Sequence, residues 1–444
     1  MSSSLNMNFP TQRYNLALSC IFNYLSRRDL CACSLVSKNW CQNVKTTIWN
    51  KPDFITEGTT SLKAFQQFLK VIETIASEQT RSLIQIIDIS QIQESLYETI
   101  DESWLAIVMQ RCPKLRSLII RDASFLTTTS IRKLCSSLKQ PHVFLEYLDL
   151  SNSKNITEIT LKSLIQNFPE LVQITLDNCS GVSDSSISQI IYYCHELHTI
   201  NIANSRSCVT DTSIFAIAKF GKQKLRCVNF QSLQKISDNS IIALSNYCKN
   251  LVSINLSNCS LITCKALESL LTANKNTLEE FIIHNMKSIP ILESSFIELL
   301  NRCLKLTTLS ISLGYIIPKL FVNHSSFGSS SKSPPLYTPK SSGNDAQLIL
   351  DLFEQFQNLQ VLSLHNVPEH TSTEFLWNLF ELCGRCGNCS LKDVKIYRTS
   401  YESDFILGGY AKVQQNSEIN QESVSNFNKN HPNGPNIKLL LLEE

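Results

Sequence analysis

The segment LVQITLDNCSGVSDSSISQIIYYCHEL, residues 171–197, decides the fold of this chain. Its first half carries apolar residues at the spacing of a short strand, at Leu171, Ile174 and Leu176. Its second half carries isoleucines at the spacing of one helical face, at Ile187, Ile190 and Ile191. The segment therefore predicts a strand, a polar turn and a helix in succession.

The same leucine frame returns along most of the sequence. Successive frames lie 26 to 28 residues apart and begin at Leu145, Leu171, Leu197, Leu225, Leu251, Leu278 and Leu306. One strand and one helix cannot bury their shared apolar face alone, so neighbouring units must stack into a continuous core. Because strands pack closer together than helices, the strands line the inner wall of an arc. The period predicts an α/β fold, a leucine-rich-repeat solenoid or horseshoe.

Cysteines stand at two fixed places of the repeat. One set lies three residues before the first leucine of a strand, at Cys112, Cys194, Cys248 and Cys303. The second set follows the strand, at Cys179 and Cys259. These positions resemble the cysteine-containing class of leucine-rich repeat. In the turn that follows, a hydroxyl residue is predicted to cap the next helix, at Ser183, Thr210 and Ser237.

The composition indicates where the chain functions. Its net charge is +2 over 444 residues, which gives no general attraction to nucleic acid or to anionic membranes. Six of its 17 cysteines occupy these repeat positions, where a thiol serves as a small hydrophobe, so we expect the reducing cytoplasm or nucleus. We expect neither a leader peptide nor a membrane span, since no apolar run approaches the roughly 20 residues that a bilayer requires.

The residues before the repeats predict three short amphipathic helices. The first has an apolar face formed by Leu18, Ile21, Phe22 and Leu25. Ser26 and Asp29 have the spacing of a helix-starting cap. The second and third helices carry Leu30, Cys33, Leu35, Val36, Trp40, Val44 and Ile48. Three such helices predict a compact module of about 50 residues, which is small for a domain that is stable alone.

This module resembles the F-box in the order and spacing of its apolar residues. The matching residues are Ile21, Phe22, Tyr24, Leu25, Asp29, Leu30, Ser34, Leu35, Val36, Lys38, Trp40 and Trp49. The chain departs from the family at Arg13-Tyr14, where the F-box has Leu-Pro, and at Leu16, where an acidic residue is usual.

The resemblance implies that the module docks onto a Skp-type adaptor and, through it, onto the cullin and RING subunits of a ubiquitin ligase. The residues that it assigns to adaptor binding are Leu18, Ile21, Phe22, Leu25, Leu30, Leu35, Val36, Trp40 and Trp49. An alternative is that the three helices only cap the open end of the solenoid.

The domain boundaries follow from these patterns. We predict a disordered N-terminus at 1–10, an F-box-like module at 11–55, a connecting helix at 56–80, and repeats at 81–400. The repeats are interrupted at about 323–344 by a Ser/Pro/Gly-rich insertion that is predicted to be disordered. Residues 401–444 are predicted to be a mostly disordered tail that ends in an edge strand.

The inner wall of the predicted arc is the candidate surface for a protein substrate. Side chains alternate along a strand, so those between the buried leucines point away from the core. The substrate-binding residues predicted in this way are Tyr147, Asp149, Thr175, Asp177, Asn201, Asn229, Asn255, Glu280 and His284. Gln173, Thr199, Gln231, Ser253 and Ile282 lie on the same wall. The wall is mostly neutral and polar, which suits a protein rather than a nucleic acid.

Motifs for covalent chemistry are absent from the sequence, so no catalytic residue and no cofactor is predicted. One alternative is a zinc or redox site at Cys383, Cys386 and Cys389, with His365 or His370 as a fourth ligand. The favoured function is a non-catalytic substrate receptor of an SCF-type ubiquitin ligase that directs proteasomal degradation. A ligase-independent interaction scaffold or inhibitor with a degenerate F-box is the alternative.

Overall fold

The computed structural model describes residues 9–55, 58–92, 103–122, 126–138, 141–205, 208–286, 294–312, 358–367, 392–399, 429 and 436–442. The chain divides into two compact units, Met1–Ile202 and Ala203–Glu444, here called the N-terminal and C-terminal units. The predicted insertion at 323–344 and the loop of Cys383, Cys386 and Cys389 lie outside the described residues. Of the helices that are described, none combines the length and apolar character needed to cross a bilayer.

The N-terminal unit begins with three helices around a small apolar core. They are α1 (Phe9–Phe22), α2 (Arg27–Cys33) and α3 (Lys38–Asn50). As predicted, Ser26 caps α2, because its hydroxyl accepts a hydrogen bond from the Asp29 amide at 3.2 Å. The core consists of Leu18, Phe22, Leu30 and Val44, with Leu25, Cys33, Trp40 and Ile48 packed around it. Helix α1 begins two residues inside the segment 1–10, for which disorder was predicted.

The helical module is joined to the first repeat by several contacts. Helices α4 (Ser61–Thr74) and α5 (Glu78–Arg81) follow the module. Phe54 and Trp104 both pack edge-to-face against Phe65, with ring centroids 5.1 and 5.3 Å away. The Gln85 amide donates to the Asn50 carbonyl at 3.0 Å. The module therefore covers the start of the first repeat within this unit.

The repeats of the N-terminal unit form a parallel sheet backed by helices, which confirms the predicted repeat fold. Its strands are β1 (Ile86–Asp88), β2 (Ser117–Ile119), β3 (Tyr147–Asp149), β4 (Gln173–Thr175) and β5 (Thr199–Asn201), paired in chain order. Its helices are α6 (Trp104–Arg111), α7 (Thr128–Ser137), α8 (Glu158–Ile165) and α9 (Asp184–Tyr193). The register places Leu148 opposite Ile174 and Ile174 opposite Ile200, so the leucine frames meet in one buried layer.

The C-terminal unit repeats this arrangement. Its helices are α10 (Asp211–Gly221), α11 (Asp238–Tyr247), α12 (Cys264–Asn274) and α13 (Ser294–Asn301). Its strands are β6 (Cys227–Asn229), β7 (Ser253–Asn255), β8 (Glu280–Ile282), β9 (Thr308–Ser312), β10 (Val361–Val367), β11 (Asp393–Thr399) and β12 (Asn436–Leu442). Neighbours in this order pair in parallel. Strand β12 lies where the sequence predicted a terminal edge strand.

The turns after β2 to β8 each contain one residue in the left-handed region. These residues have φ between 53° and 61° and are Asp122, Asn152, Asn178, Asn204, Ser232, Asn258 and Asn285. Asparagine tolerates this conformation better than most residues, which explains why it fills five of the seven positions. The amide nitrogen of Asn178 also donates to Asn152 Oδ1 at 3.0 Å, so consecutive turns are tied together.

The predicted helix caps hold at two of three turns. The hydroxyl of Ser183 accepts from the Ser186 amide, and that of Thr210 accepts from the Thr212 amide, both at 3.2 Å. The prediction is wrong for Ser237, whose side chain does not cap α11. Its hydroxyl donates instead to a carboxylate oxygen of Asp211 in the preceding repeat, at 2.6 Å. The Ser237 hydroxyl therefore bonds to an acidic side chain of the neighbouring repeat and not to the helix α11 that the sequence spacing predicted.

Cysteines of both sets bond to the backbone of the preceding repeat. The thiol of Cys179 donates to the Leu150 carbonyl at 2.9 Å, and that of Cys259 donates to the Phe230 carbonyl at 3.1 Å. Cys194 makes the corresponding contact with the Phe168 carbonyl at 3.5 Å. Burial raises the pKa of each of these three thiols to about 12. None of the cysteines in the described residues forms a disulfide bond.

We expect thiol alkylation of the native chain to divide the cysteines by their burial. The exposed Cys20, Cys31 and Cys41 are expected to react with iodoacetamide at pH 8, whereas the buried Cys179 and Cys259 are expected to react only after unfolding. Peptide mapping by mass spectrometry measures both classes in one sample. Equal rates of modification at the two classes in native protein would contradict the inter-repeat contacts.

Candidate functional site

The N-terminal module carries large apolar side chains on its surface. Tyr24 is 91% exposed and Leu35 is 87% exposed, although both are apolar and belong to the same small module. Leu16, Ile21 and Val36 are also exposed. A small domain that keeps its core separate from such an exposed set has a surface suited to a protein partner. We call these five residues the exposed apolar set.

The structure divides the nine residues that were predicted to bind an adaptor. Ile21, Leu35 and Val36 lie on the surface. Leu25, Trp40 and Trp49 are half-buried. Leu18, Phe22 and Leu30 are buried in the core of the module, so we reassign them from contact residues to structural residues. Tyr24 and Leu16 were not among the nine. The spacing of apolar residues does not distinguish a side chain that packs in the core from one that lies at an interface.

The start of α1 is fixed to α3 at the place where the sequence departs from the F-box pattern. The indole nitrogen of Trp40 donates to the Tyr14 hydroxyl at 3.0 Å. The amide nitrogens of Asn39 and Asn43 donate to Asn15 Oδ1 at 3.0 and 3.3 Å. Tyr14 thus builds a polar edge where the family has Leu-Pro. This contact was not foreseen from the sequence, since it joins residues 26 positions apart.

The strands of each unit have an outward face, formed by side chains that alternate with the buried leucines. On this face of the N-terminal unit, Asp149 is only 1% exposed, which corrects its prediction as a substrate contact. Its carboxylate accepts hydrogen bonds from Arg121 Nε at 2.9 Å and from the Ser151 hydroxyl at 2.6 Å. The Tyr147 hydroxyl also donates to it, at 3.3 Å. The buried Asp149 carboxylate therefore holds the side chains of Arg121, Ser151 and Tyr147 in place on this face.

The side chains that reach the surface around Asp149 are Arg121 and Tyr147. The Arg121 side chain is half exposed, and its hydrogen bond to Asp149 raises the pKa of the guanidinium further. Burial, followed by the Asp149 charge, raises the pKa of the Tyr147 phenol. Thr175, Asp177 and Asn201 are half-buried on the same face, and Thr175 pairs in register with Asn201. The sequence did not point to Arg121. It lies two residues after a strand, and only some of the residues at that position were predicted to lie on the wall.

On the outward face of the C-terminal unit, two asparagines shape turns. Asn229 and Asn255 are register partners on β6 and β7. Their side-chain oxygens accept from the amides of Gln231 and Ser257, at 3.1 and 3.0 Å. The nitrogen of the Asn255 side chain donates to Gln231 Oε1 at 3.1 Å. These two predicted wall residues are therefore largely engaged in holding their own backbone.

Further along this face lies a stack of three rings. The ring centroids of His284 and His365 are 3.9 Å apart, and those of His365 and Tyr397 are 4.1 Å apart. The planes differ by 11° and 10°, so the rings are nearly parallel. We call these three residues the ring stack. His284 was predicted to lie on this wall, whereas His365 and Tyr397 were not.

Hydroxyl groups surround the first ring of the stack. His284 Nδ1 lies 3.1 Å from the Ser257 hydroxyl and 3.2 Å from the Ser310 hydroxyl. Burial lowers the pKa of His284 to about 4 and, together with the neighbouring His284 charge, that of His365 to about 3. Both imidazoles are therefore neutral near pH 7 and weak as general bases. Of the two rings, His284 is partly exposed, whereas His365 is buried between its neighbours.

Glu280 is the predicted wall residue that brings charge to this face. It lies on β8, four residues before His284 on the same segment. The Ser253 hydroxyl donates to its carboxylate from β7. Within the part of the chain that the structure describes, no group of three or more His, Cys, Asp or Glu side chains is arranged to hold a metal ion.

A family model matches part of the N-terminal module of this chain. Residues 17–55 match the family model described as F-box-like, which confirms the resemblance seen in the sequence. The chain therefore has an F-box-like segment that is followed by parallel leucine-rich repeats.

Individual relatives match a part of the chain. It is 31% identical over 133 residues to the protein "Antagonist of mitotic exit network protein 1" of Saccharomyces cerevisiae and 29% identical over 133 residues to the protein of that name in Candida glabrata. Each match covers 29% of this chain and 24% or 25% of the relative, so the chain spans about a quarter of the length of the curated relatives it matches. Among solved structures, the crystal structure of the Rad7 and Elc1 complex in yeast is similar over 89% of this chain and 94% of that chain, with 16% identity and a TM-score of 0.45.

Proposed function

We propose that this protein is a non-catalytic substrate receptor of an SCF-type ubiquitin ligase. Its F-box-like module binds a Skp-type adaptor and, through it, the cullin and RING subunits. The observation that carries the proposal is the exposed apolar set, which lies on a module matching the F-box-like family and leaves the core of that module intact. An apolar surface of this kind is retained when a partner covers it.

The outward strand faces bind the protein to be ubiquitylated. Holding a substrate lysine near the charged conjugating enzyme raises its effective concentration, so ubiquitin transfer needs no catalytic group on this chain. Proteasomal degradation of the substrate follows. The absence of disulfide bonds among the described cysteines supports a cytoplasmic or nuclear location.

One observation favours a second candidate function, that of a ligase-independent interaction scaffold or inhibitor. Tyr14 occupies the position of the usual F-box Leu-Pro edge and is held there by Trp40. A polar hydrogen-bonded edge presents a different contact surface from an apolar one. If this edge prevents adaptor docking, the repeats still bind their partner without leading it to ubiquitin transfer.

Co-purification of the full chain with a Skp-type adaptor tests the proposal. We expect stoichiometric binding by the natural chain, and at least a tenfold loss of affinity in a Tyr24→Asp, Leu35→Asp double variant, because each aspartate places a charge in the apolar contact. Both positions are almost fully exposed, so the melting temperature is expected to stay unchanged.

The matched control is Tyr192→Asp, which introduces the same charge at an exposed aromatic residue of α9, outside the module. This variant is expected to bind the adaptor as the natural chain does. A natural chain that fails to bind would refute the receptor function and favour the scaffold. Equal loss in the control would show that the exposed apolar set is not the docking surface.

A further inference from the structure

The outward face of the C-terminal unit has an unusual distribution of charge. Its positions are the alternate strand residues that do not enter the core, continued to the second residue after each short strand. On β6 to β10, Glu280 is the one charged residue at these positions, and on β11, which supplies Tyr397, the same face carries Asp393 and Lys395. No lysine or arginine of the described residues forms an ion pair with it, and its neighbour is the Ser253 hydroxyl.

The groups around Glu280 do not provide a site for an anion. Three of the hydroxyls on this face are already engaged, those of Ser253, Ser257 and Ser310. The two imidazoles of the ring stack are held neutral by burial. A phosphate group carries close to two negative charges and is recognised in proteins by clustered arginines. At Glu280 it would meet a carboxylate, and Lys395, the lysine of this face, lies three strands away on β11, which opposes binding at that position.

We propose that this face binds an unphosphorylated protein segment that places one basic side chain at Glu280 and a planar side chain against the ring stack. The proposal names the substrate class for the receptor function proposed above and rests on it. Charge complementarity selects the basic residue, because an arginine or lysine supplies the partner that Glu280 lacks. The ring stack reaches the surface through His284 and Tyr397, because His365 is buried between them, and these two rings suit contact with an aromatic or guanidinium group.

The geometry also sets the length of the segment. Glu280 and His284 are four residues apart on one extended stretch, which corresponds to about 13 Å. An extended segment of about five residues therefore reaches from the carboxylate to the ring stack. Nucleic acids are disfavoured on this face for the same reason as a phosphopeptide, since their backbone is a chain of phosphates.

Two peptide pools test the proposal on the immobilised full chain. Both consist of eleven-residue peptides with Tyr or Trp allowed three to five residues from the centre and Ser, Gly or Asn elsewhere. One pool has arginine at the centre and the other has phosphoserine. We expect the arginine pool to be retained at least tenfold more strongly, as measured by mass spectrometry of the eluted peptides.

Two matched variants locate the effect. Glu280→Gln keeps the size of the side chain and removes its charge, and it is expected to abolish the preference for arginine. Glu279→Gln removes the same charge one residue earlier, at an exposed position that is not on the outward face, and it is expected to keep the preference. Melting curves of both variants verify that they are folded.

Any of four results would overturn the inference. They are equal retention of the two pools, stronger retention of the phosphoserine pool, background retention of both pools, and a preference for arginine that survives Glu280→Gln. Loading the same immobilised chain with a Skp-type adaptor separates this failure from failure of the receptor function. Adaptor binding without the arginine preference refutes only the substrate class. An arginine preference without adaptor binding supports the substrate class and refutes the ligase role.

Discussion

Replacing Gly181 by alanine is expected to destabilise the N-terminal unit by about 2 kcal/mol or more. A Cβ atom at Gly181 would lie 2.1 Å from the Ile156 carbonyl oxygen and 2.8 Å from the carbonyl carbons of Ile156 and Thr157. All three atoms belong to the backbone, which cannot rotate away as a flexible side chain does. Since repeat interiors are close-packed, relief requires the turn to move away from the preceding repeat, and the contacts between the two repeats weaken.

Thermal unfolding followed by circular dichroism measures this effect, and we expect a decrease of at least about 4 °C in the first transition. Leu261→Ala is the matched control, because Leu261 occupies the same turn position after Cys259 that Gly181 occupies after Cys179. Leu261 is exposed, so its truncation is expected to cost less than about 1 kcal/mol. A Gly181→Ala chain that melts with the natural chain would show that the turn accommodates a Cβ.

The repeat core could be predicted from the sequence because its determinants are local. Each frame such as Leu171, Ile174 and Leu176 lies within six residues, and all three side chains are buried as their spacing requires. The cysteine positions were informative for the same reason. A fixed distance from the strand placed Cys179 beside the backbone of the preceding repeat.

The surfaces could not be predicted to the same extent, because their determinants are not local. Nothing in the sequence around Asp149 shows that Arg121, 28 residues earlier, donates a hydrogen bond to its carboxylate. His284 and His365 lie far apart in the sequence, so the alignment of their strands could not be predicted from it. In the structure, the register of β8, β9 and β10 brings the two residues together in the ring stack. In the helical module, Phe22 and Ile21 are both apolar neighbours, yet one is core and the other is surface.

Acidification is expected to destabilise the C-terminal unit through the ring stack, by on the order of 5 kcal/mol between pH 7 and pH 4.5. The folded pKa values of His284 and His365 are about 4 and about 3, whereas an unfolded histidine titrates near 6.5. Between these values the unfolded chain binds more protons than the folded chain. The free energy of unfolding therefore falls as the pH drops below about 6.5, and it levels off once the folded imidazoles also titrate.

The test compares urea unfolding of the natural chain and a His284→Gln, His365→Gln double variant at pH 7 and pH 4.5. The variant is expected to lose stability at pH 7 through altered packing, so the informative quantity is the change between the two pH values. That change is expected to shrink in the variant, because glutamine does not titrate. Tyr397→Phe is the control, since it keeps a ring in the stack and leaves both imidazoles in place. If the double variant kept the full pH dependence of the natural chain, other groups would carry it, and the two histidines would not be held neutral by their burial.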